Sequence, residues 1–249
     1  METIEFEQGA FNGEIVDCCP HGEGQMIFKP DDPMDRVSYQ GQWVEGQQCG
    51  EGTMRFKSGD SYSGQFKGNV PHGKGEFIYD CGDKEEVMME DGVRHGMSKY
   101  TSTHDETVEE LMFWEGEPRG PSKLLYPDGS YEERNYSNGE KNGPAKMVGA
   151  SGDVFMFCYE KNLMVGPSKY TWPTGQTEEA TFVSGVKQGQ GVEVRQNGCS
   201  DPCLTYSLTQ IGANGDKETR NWNDGVLDGP AIVEGANGDR LEFLYVNVG

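Results

Sequence analysis

Glycine returns at a fixed interval along this chain. Gly50, Gly73, Gly96, Gly120, Gly143, Gly166 and Gly189 are separated by 23, 23, 24, 23, 23 and 23 residues. A second series runs in phase with the first: Gly59, Gly82, Gly129, Gly152, Gly175 and Gly198. A constant period of about 20–50 residues marks a repeat architecture, in which each copy is one supersecondary unit that cannot bury its apolar face alone. Gly22 precedes Gly50 by 28 residues, the extra five matching the insert DDPMD. Gly229 follows Gly189 by 40 residues, which fits one full repeat plus a shortened, degenerate one around CSDPCLTYSLTQIGANG.

Each period reads as a β-hairpin. In GEGTMRFKSGDSYSGQFKGN, alternation puts Gly52, Met54 and Phe56 on one face, then a turn at Ser58-Gly59-Asp60, then Tyr62, Gly64 and Phe66 on one face. Period-two alternation over short glycine-bounded runs predicts strands. YPDG, WPTG and ANGD occupy the turn position in other periods; Gly and Asn tolerate positive φ, and Pro presets the turn. The first glycine series is read as a second turn in each period. The expected chain is one domain over residues 1–249, about ten hairpins with a degenerate copy near 199–215. Seven residues before each glycine of the first series stand Ile15, Trp43, Phe66, Met89, Phe113, Tyr136, Tyr159, Phe182 and Trp222. Such a column is a core. Small residues beside it (Gly24, Gly52, Gly75, Ser98, Ser122, Ala145, Ser168) let neighbouring hairpins nest.

The segment PHGKGEF places His72 between a proline and glycines, a setting in which loops present catalytic or ligating residues. The same slot holds His21, Cys49, His72, His95, Arg119, Asn142, Val165, Gln188 and Asp228. A slot that varies so widely is a turn position. Successive hairpins stand about 9.6 Å apart, and zinc needs its ligands within ~2.1 Å, so histidines of that column cannot share an ion. His104 has no evident nucleophile or ligand beside it.

Composition narrows the function. The net charge of −21 excludes nucleic acid and anionic membrane surfaces as partners and favours basic ones. Seven cysteines cannot all pair, and METIEFEQ lacks the basic-then-apolar order of an export signal, so free thiols in an intracellular, cytoplasmic chain are expected. Cys18-Cys19 with His21, and Cys199 with Cys203, fall short of a four-ligand zinc set. No metal or cofactor is expected. No phosphate-binding loop, nucleophile elbow or zinc-protease motif is present.

The order Y-x-G-x-W/F, G-x-G, aromatic, turn glycine resembles the MORN repeat. Tyr39 to Phe56 (YQGQWVEGQQCGEGTMRF) and Tyr62 to Tyr79 (YSGQFKGNVPHGKGEFIY) carry it best. The resemblance implies an all-β fold, antiparallel hairpins laid side by side in one long, twisted and curved single sheet, acting as a scaffold or recognition module. NGEKNGPAKM and DGVLDGPAIV resemble the repeats that precede the catalytic domain of some SET-domain lysine methyltransferases. No SET domain is present in the 249 residues, so methyl transfer is not implied.

The sequence departs from the family in the Tyr slot. Phe11, Tyr39 and Tyr62 give way to Glu85, Glu109, Glu132, Phe155, Glu178 and Glu218, and four of these glutamates are followed by a second: Glu86, Glu110, Glu133 and Glu179. Adjacent strand residues point to opposite faces. One glutamate of each pair is therefore expected on the aromatic face. Candidate binding residues are an acidic column (Glu85, Glu109, Glu132, Glu178, Glu218) and an aromatic face (Trp43, Phe66, Phe113, Tyr136, Tyr159, Tyr170, Trp172). The leading expectation is a non-catalytic protein-interaction scaffold engaging basic or extended partner segments. Two alternatives stay open: the recognition part of a lysine-methyltransferase-like assembly, and a small-molecule-binding protein or enzyme using the aromatic, acid-lined face.

Overall fold

The computed structural model describes residues 3–194, 215–236 and 238–246. Among the described residues the fold is all-β: 23 strands form an open antiparallel sheet, and there is no helix. Two compact units divide it, Met1–Pro127 and Asp128–Gly249. Residues 199–214 of the expected degenerate repeat lie outside the described residues.

The hairpins turn at one kind of site. Asp17-Cys18, Glu45-Gly46, Gly68-Asn69, Asp91-Gly92, Glu115-Gly116, Asn138-Gly139, Lys161-Asn162, Ser184-Gly185 and Asp224-Gly225 each place both residues at positive φ. That is the primed two-residue turn whose twist matches the flanking strands, and it selects Gly, Asn and Asp. Seven of these tips are held by the hairpin before them. In the first unit the amides of Gly46, Asn69, Gly92 and Gly116 donate to the carbonyls of Pro20, Gln48, Pro71 and Arg94 at 2.9, 3.2, 2.9 and 2.9 Å. In the second, those of Asn162, Gly185 and Gly225 donate to Lys141, Met164 and Lys187 at 3.0, 2.8 and 3.0 Å. The opposite ends are linked through the aspartate after the turn glycine. Asp60 accepts from the Asp80 amide at 2.9 Å, Asp83 from the Thr103 amide at 2.7 Å, and Asp216 from the Ala236 amide at 3.1 Å.

The first glycine series does not turn the chain. Gly73 sits inside the strand Val70–Ile78 and Gly50 inside Gln47–Phe56, with φ of 70° and 58°. Opposite such glycines the ladder slips, between Gly41/Gln42, Gly64/Phe66 and Val87/Met89 in the first unit and Met156/Cys158 and Glu179/Thr181 in the second. These are β-bulges, where the extra residue needs the left-handed region that glycine enters without a Cβ clash. His72 is thus a strand residue beside a bulge, not a turn residue; its Nδ1 accepts from the Asp91 amide at 3.4 Å.

The insert DDPMD closes on itself. Asp32 accepts from the amides of Met34 and Arg36 at 3.1 and 3.0 Å and pairs with the Arg36 guanidinium at 2.8 Å. Hydrogen bonds from Arg36 hold its carboxyl down at about 2, against the cost of burial. The guanidinium also lies 4.0 Å from the centre of the Phe28 ring, a cation–π contact.

In the first unit the core is a ladder of rings on one face of the sheet. Centroid distances run Phe6–Phe11 6.2 Å, Phe11–Trp43 5.3 Å, Trp43–Tyr39 5.1 Å, Tyr39–Phe66 4.9 Å, Phe66–Tyr62 5.3 Å and Tyr62–Phe77 4.8 Å, mostly edge to face. Phe11, Tyr39 and Tyr62 are fully buried. They lie flat on the backbone. A Cβ on Gly24 would stand 2.3 Å from the Phe11 ring, one on Gly52 2.4 Å from the Tyr39 hydroxyl, and one on Gly75 2.3 Å from the Tyr62 hydroxyl. The tyrosine of Y-x-G and the glycines of G-x-G are therefore one device, a ring and the floor it covers. Trp43 and Phe66, expected on a binding face, are core residues at 1% and 4% exposure, because rings of neighbouring strands cover them. In the second unit the same kind of face carries Phe155–Phe157 at 4.7 Å, Phe157–Tyr159 at 5.1 Å and Tyr170–Trp172 at 4.6 Å, with Phe157 and Phe182 buried and the others half-buried.

Gly75→Ala is expected to cost about 1–3 kcal/mol, the range for overfilling a packed site. Its φ is unremarkable, so the ring alone is responsible. In a Tyr62→Ala background the cost should nearly vanish, and urea unfolding of the four proteins in this cycle measures it. An equal cost in both backgrounds would remove the ring from the explanation.

Candidate functional site

The paired glutamates divide between the faces as alternation requires. Glu85 is buried and Glu86 exposed, Glu132 buried and Glu133 exposed; Glu109 and Glu178 are half-buried, with Glu110 and Glu179 exposed. Glu218 is buried at 1%. The inward carboxylates do not form an open ladder, since each is engaged within the chain. Glu85 receives Arg94 Nη2 at 2.7 Å, Arg94 Nε at 2.9 Å, Ser98 Oγ at 2.8 Å and Tyr79 Oη at 2.5 Å. Glu132 receives Arg134 at 3.0 Å and Tyr159 Oη at 3.0 Å. Glu218 receives Arg220 at 2.9 Å and Tyr245 Oη at 3.0 Å. Lys187 reaches Glu178 at 2.8 Å, and the Ser122 hydroxyl donates to Glu109 at 2.9 Å.

The cause is the cost of an unpaired charge away from water, several kcal/mol per ion. Burial pushes the Glu85 carboxyl up; hydrogen bonds from Arg94, Tyr79 and Ser98 outweigh it, and the net position lies below the usual range. The same contacts, Glu85 first, raise the Arg94 guanidinium. Burial, then the bond to Glu85, pushes the Tyr79 phenol up to about 12. A carboxylate is also too small to cover a glycine floor. Beside Glu85 the floor is filled by Val87 opposite Ser98, where Tyr62 has Gly64 opposite Gly75.

These partners escaped the sequence reading because they come from two different slots. Arg94 and Lys187 stand two residues before the bulge glycine; Arg134 and Arg220 stand two residues after the glutamate itself. A cation present in one slot or the other was the available signal. The half-buried aromatic candidates are similarly occupied. Arg94 lies 5.7 Å from the Phe113 ring centre, Arg134 5.7 Å from Tyr136 and Lys141 5.3 Å from Tyr159, while the Tyr170 hydroxyl donates to Asp153 and Trp172 packs on Tyr170.

The opposite face is open in each unit. In the first, Ser63, Glu76, Glu86, Lys99 and Glu110 face one another across successive strands. A groove of about 720 Å³ lies over this row, lined also by Glu51, Lys74, Met88 and Met97. In the second unit a groove of about 560 Å³ is lined by Pro144, Met156, Pro167 and Val192, and there Lys169 pairs with Glu179 at 3.0 Å. The charge is uneven: residues 1–127 hold 25 Asp and Glu against 11 Lys and Arg, and residues 128–249 hold 17 against 10. Among the described residues no three His, Cys, Asp or Glu side chains gather as a metal site, Cys18, Cys19 and His21 included; Cys199 and Cys203 lie outside them.

Two outcomes follow from the inward charges. Arg94→Met should cost about 3 kcal/mol or more, since it strands a buried carboxylate. Glu85→Tyr should destabilise alone and recover when Val87→Gly and Ser98→Gly restore the floor; thermal melts of the three variants decide this. Acid dependence follows from Asp32 and from Asp83, which the Tyr100 hydroxyl and the Thr103 amide hold at about 2. Both lie below the unfolded value of 3.8, so their stabilisation is complete above it and is lost as pH falls from 3.8 to about 2. Melting temperature against pH should fall across that window, and less steeply for Asp32→Asn.

Comparison with known proteins completes the picture. The family model of the MORN repeat matches five times, at residues 39–61, 62–84, 135–154, 158–177 and 179–200. No curated protein matches the chain. Among solved structures the chain is similar to the SAS-4 (dCPAP) TCP domain in complex with a Proline Rich Motif of Ana2 (dSTIL) of Drosophila melanogaster, at 13% identity and a TM-score of 0.38, over 78% of this chain and 83% of that one. With five matched copies set on the hairpins described above, the chain is a MORN-repeat protein.

Proposed function

We propose that this chain is a non-catalytic protein-interaction module that engages basic, extended segments of a partner. MORN repeats commonly mediate protein or membrane interactions. The observation that carries the choice is the surplus of 14 acidic side chains in residues 1–127, on a sheet that keeps one face open. A surplus of that sign attracts cationic segments and disfavours anionic lipid. The small-molecule alternative loses support, because the carboxylates that were to act on the aromatic face are held by cations or hydroxyls of the chain. The methyltransferase-like alternative rests on the resemblance of NGEKNGPAKM and DGVLDGPAIV and draws nothing from the geometry.

The test is binding of the full chain to lysine- and arginine-rich peptides, with glutamate-rich peptides as controls, at low and moderate salt. Selective binding to the basic set that weakens as salt rises is expected, because exposed charges are screened beyond about 8 Å at physiological ionic strength. Equal binding of both sets, or of neither, would overturn the reading.

A further inference from the structure

We infer that the partner segment docks in the open groove of the first unit, against Glu76, Glu86 and Glu110 and the methionines Met88 and Met97, and that it combines basic side chains with an apolar one. This rests on the interaction reading above and gives it a place and a second chemical requirement.

Four carboxylates on a surface are ordinary solvated charge. Three features separate this groove from that case. The first is its mixed lining: a shallow groove of about 720 Å³ with Glu76, Glu86 and Glu110, Lys74 and Lys99 beside them, and Met88 and Met97 among them. Met97 is 52% exposed, and Met112, directly opposite it on the next strand, is 40% exposed. Methionine is a flexible, polarizable apolar side chain suited to surfaces that adapt to a partner.

The second feature is like charge placed in register. Glu76 and Glu86 are direct cross-strand partners on adjacent strands, Val70–Ile78 and Lys84–Glu90. Like charges directly opposite one another are destabilising in a sheet, a cost that Lys99, opposite Glu86 on its other side, offsets in part. The third is that these carboxylates make no ion pair at contact distance. Among the described residues, none of Glu51, Glu76, Glu86 and Glu110 makes an ion pair, although Lys99 stands between Glu86 and Glu110 in the register. The equivalent outward Glu179 of the second unit is paired with Lys169 at 3.0 Å. The inward glutamates are all engaged, as described. The inward carboxylates are thus satisfied within the chain, while these outward ones make no ion pair with it and can meet a cation from outside.

The dimensions suit an extended chain. Glu76, Glu86 and Glu110 lie on strands that span three interstrand spacings, about 14 Å, the length of roughly four extended residues. A segment crossing the strands meets the carboxylates along one row and the methionines along the next.

The experiment uses the full chain and a labelled peptide of alternating lysine and leucine, with fluorescence anisotropy as the readout. Control peptides carry serine in place of leucine, or glutamate in place of lysine. The variants are E76Q/E86Q/E110Q, M88S/M97S and, in the second unit, E133Q/E179Q. The triple variant should bind about tenfold more weakly or worse, the sum expected of three exposed charge contacts. M88S/M97S and the serine peptide should each weaken binding as well, and E133Q/E179Q should leave it unchanged. A thermal melt of the triple variant accompanies the binding measurement, because the variant relieves the repulsion between Glu76 and Glu86 but also removes both carboxylates opposite Lys99; binding is compared at a temperature where both proteins are folded. If the lysine–leucine peptide binds the triple variant as tightly as the wild type, the groove is not the site, while the interaction reading stands. If the serine peptide binds as tightly as the leucine one, the apolar requirement falls. If no basic peptide binds the wild type, both readings fall together.

Discussion

An aromatic ring laid flat on a strip of backbone without Cβ atoms is the contact on which the first unit depends. A single-layer sheet has no second layer to bury its apolar side chains against. Tyr39 and Tyr62 reach zero exposure because Gly52 and Gly75 let their rings descend onto the strands, and because Trp43 and Phe66 close over them edge-on. Burial of this kind is obtained side to side, from one hairpin to the next. It accounts for the motif as a unit: a glycine lost from the floor would lift the ring, and a ring lost would leave two exposed strands with nothing to cover them.

Where the ring is replaced by glutamate, the chain solves the same position by a different physical route. The short carboxylate no longer needs a bare floor, and Val87 and Ser98 occupy it. The charge then needs a donor set, supplied by Arg94, Tyr79 and Ser98 at Glu85 and by Arg134 and Tyr159 at Glu132. Buried ion pairs are weak sources of net stability, but they tolerate only one arrangement. The repeats of this chain are therefore of two kinds, one held by aromatic packing and one by a hydrogen-bonded charge cluster, strung on one backbone period.

Much of this was legible in the residues. The period, the hairpin at each repeat, the core column of Trp43, Phe66 and Phe182, and the division of each Glu-Glu pair between two faces all follow from spacing and alternation. Two things were not. A bulge and a turn both demand a residue at positive φ, so Gly73 and Gly59 look alike in sequence although one bends a strand and the other reverses it. The burial of Glu85, Glu132 and Glu218 was hidden because their cations come from different slots, and a long side chain reaches its partner by a route that strand alternation does not predict. The outward members of two of the pairs, Glu86 and Glu110, lie on the opposite face with Glu76 beside them, as alternation requires.

The links between hairpins have a consequence for how such a chain can change in length. Seven tip amides bond to the hairpin just before them, as Gly92 does to Pro71, and the post-turn aspartates Asp60, Asp83 and Asp216 reach one turn onward, as Asp83 does to Thr103. Both reach across about one period and no further. Excising or duplicating a whole period leaves every donor facing an equivalent acceptor, whereas a gain or loss of a few residues within a strand shifts a donor off its mate. Growth by entire hairpins is consequently cheap and growth by fragments is not. The five-residue insert DDPMD lies at a turn, where Asp32 gathers the amides of Met34 and Arg36 and Lys57 of the following turn ties down Asp35.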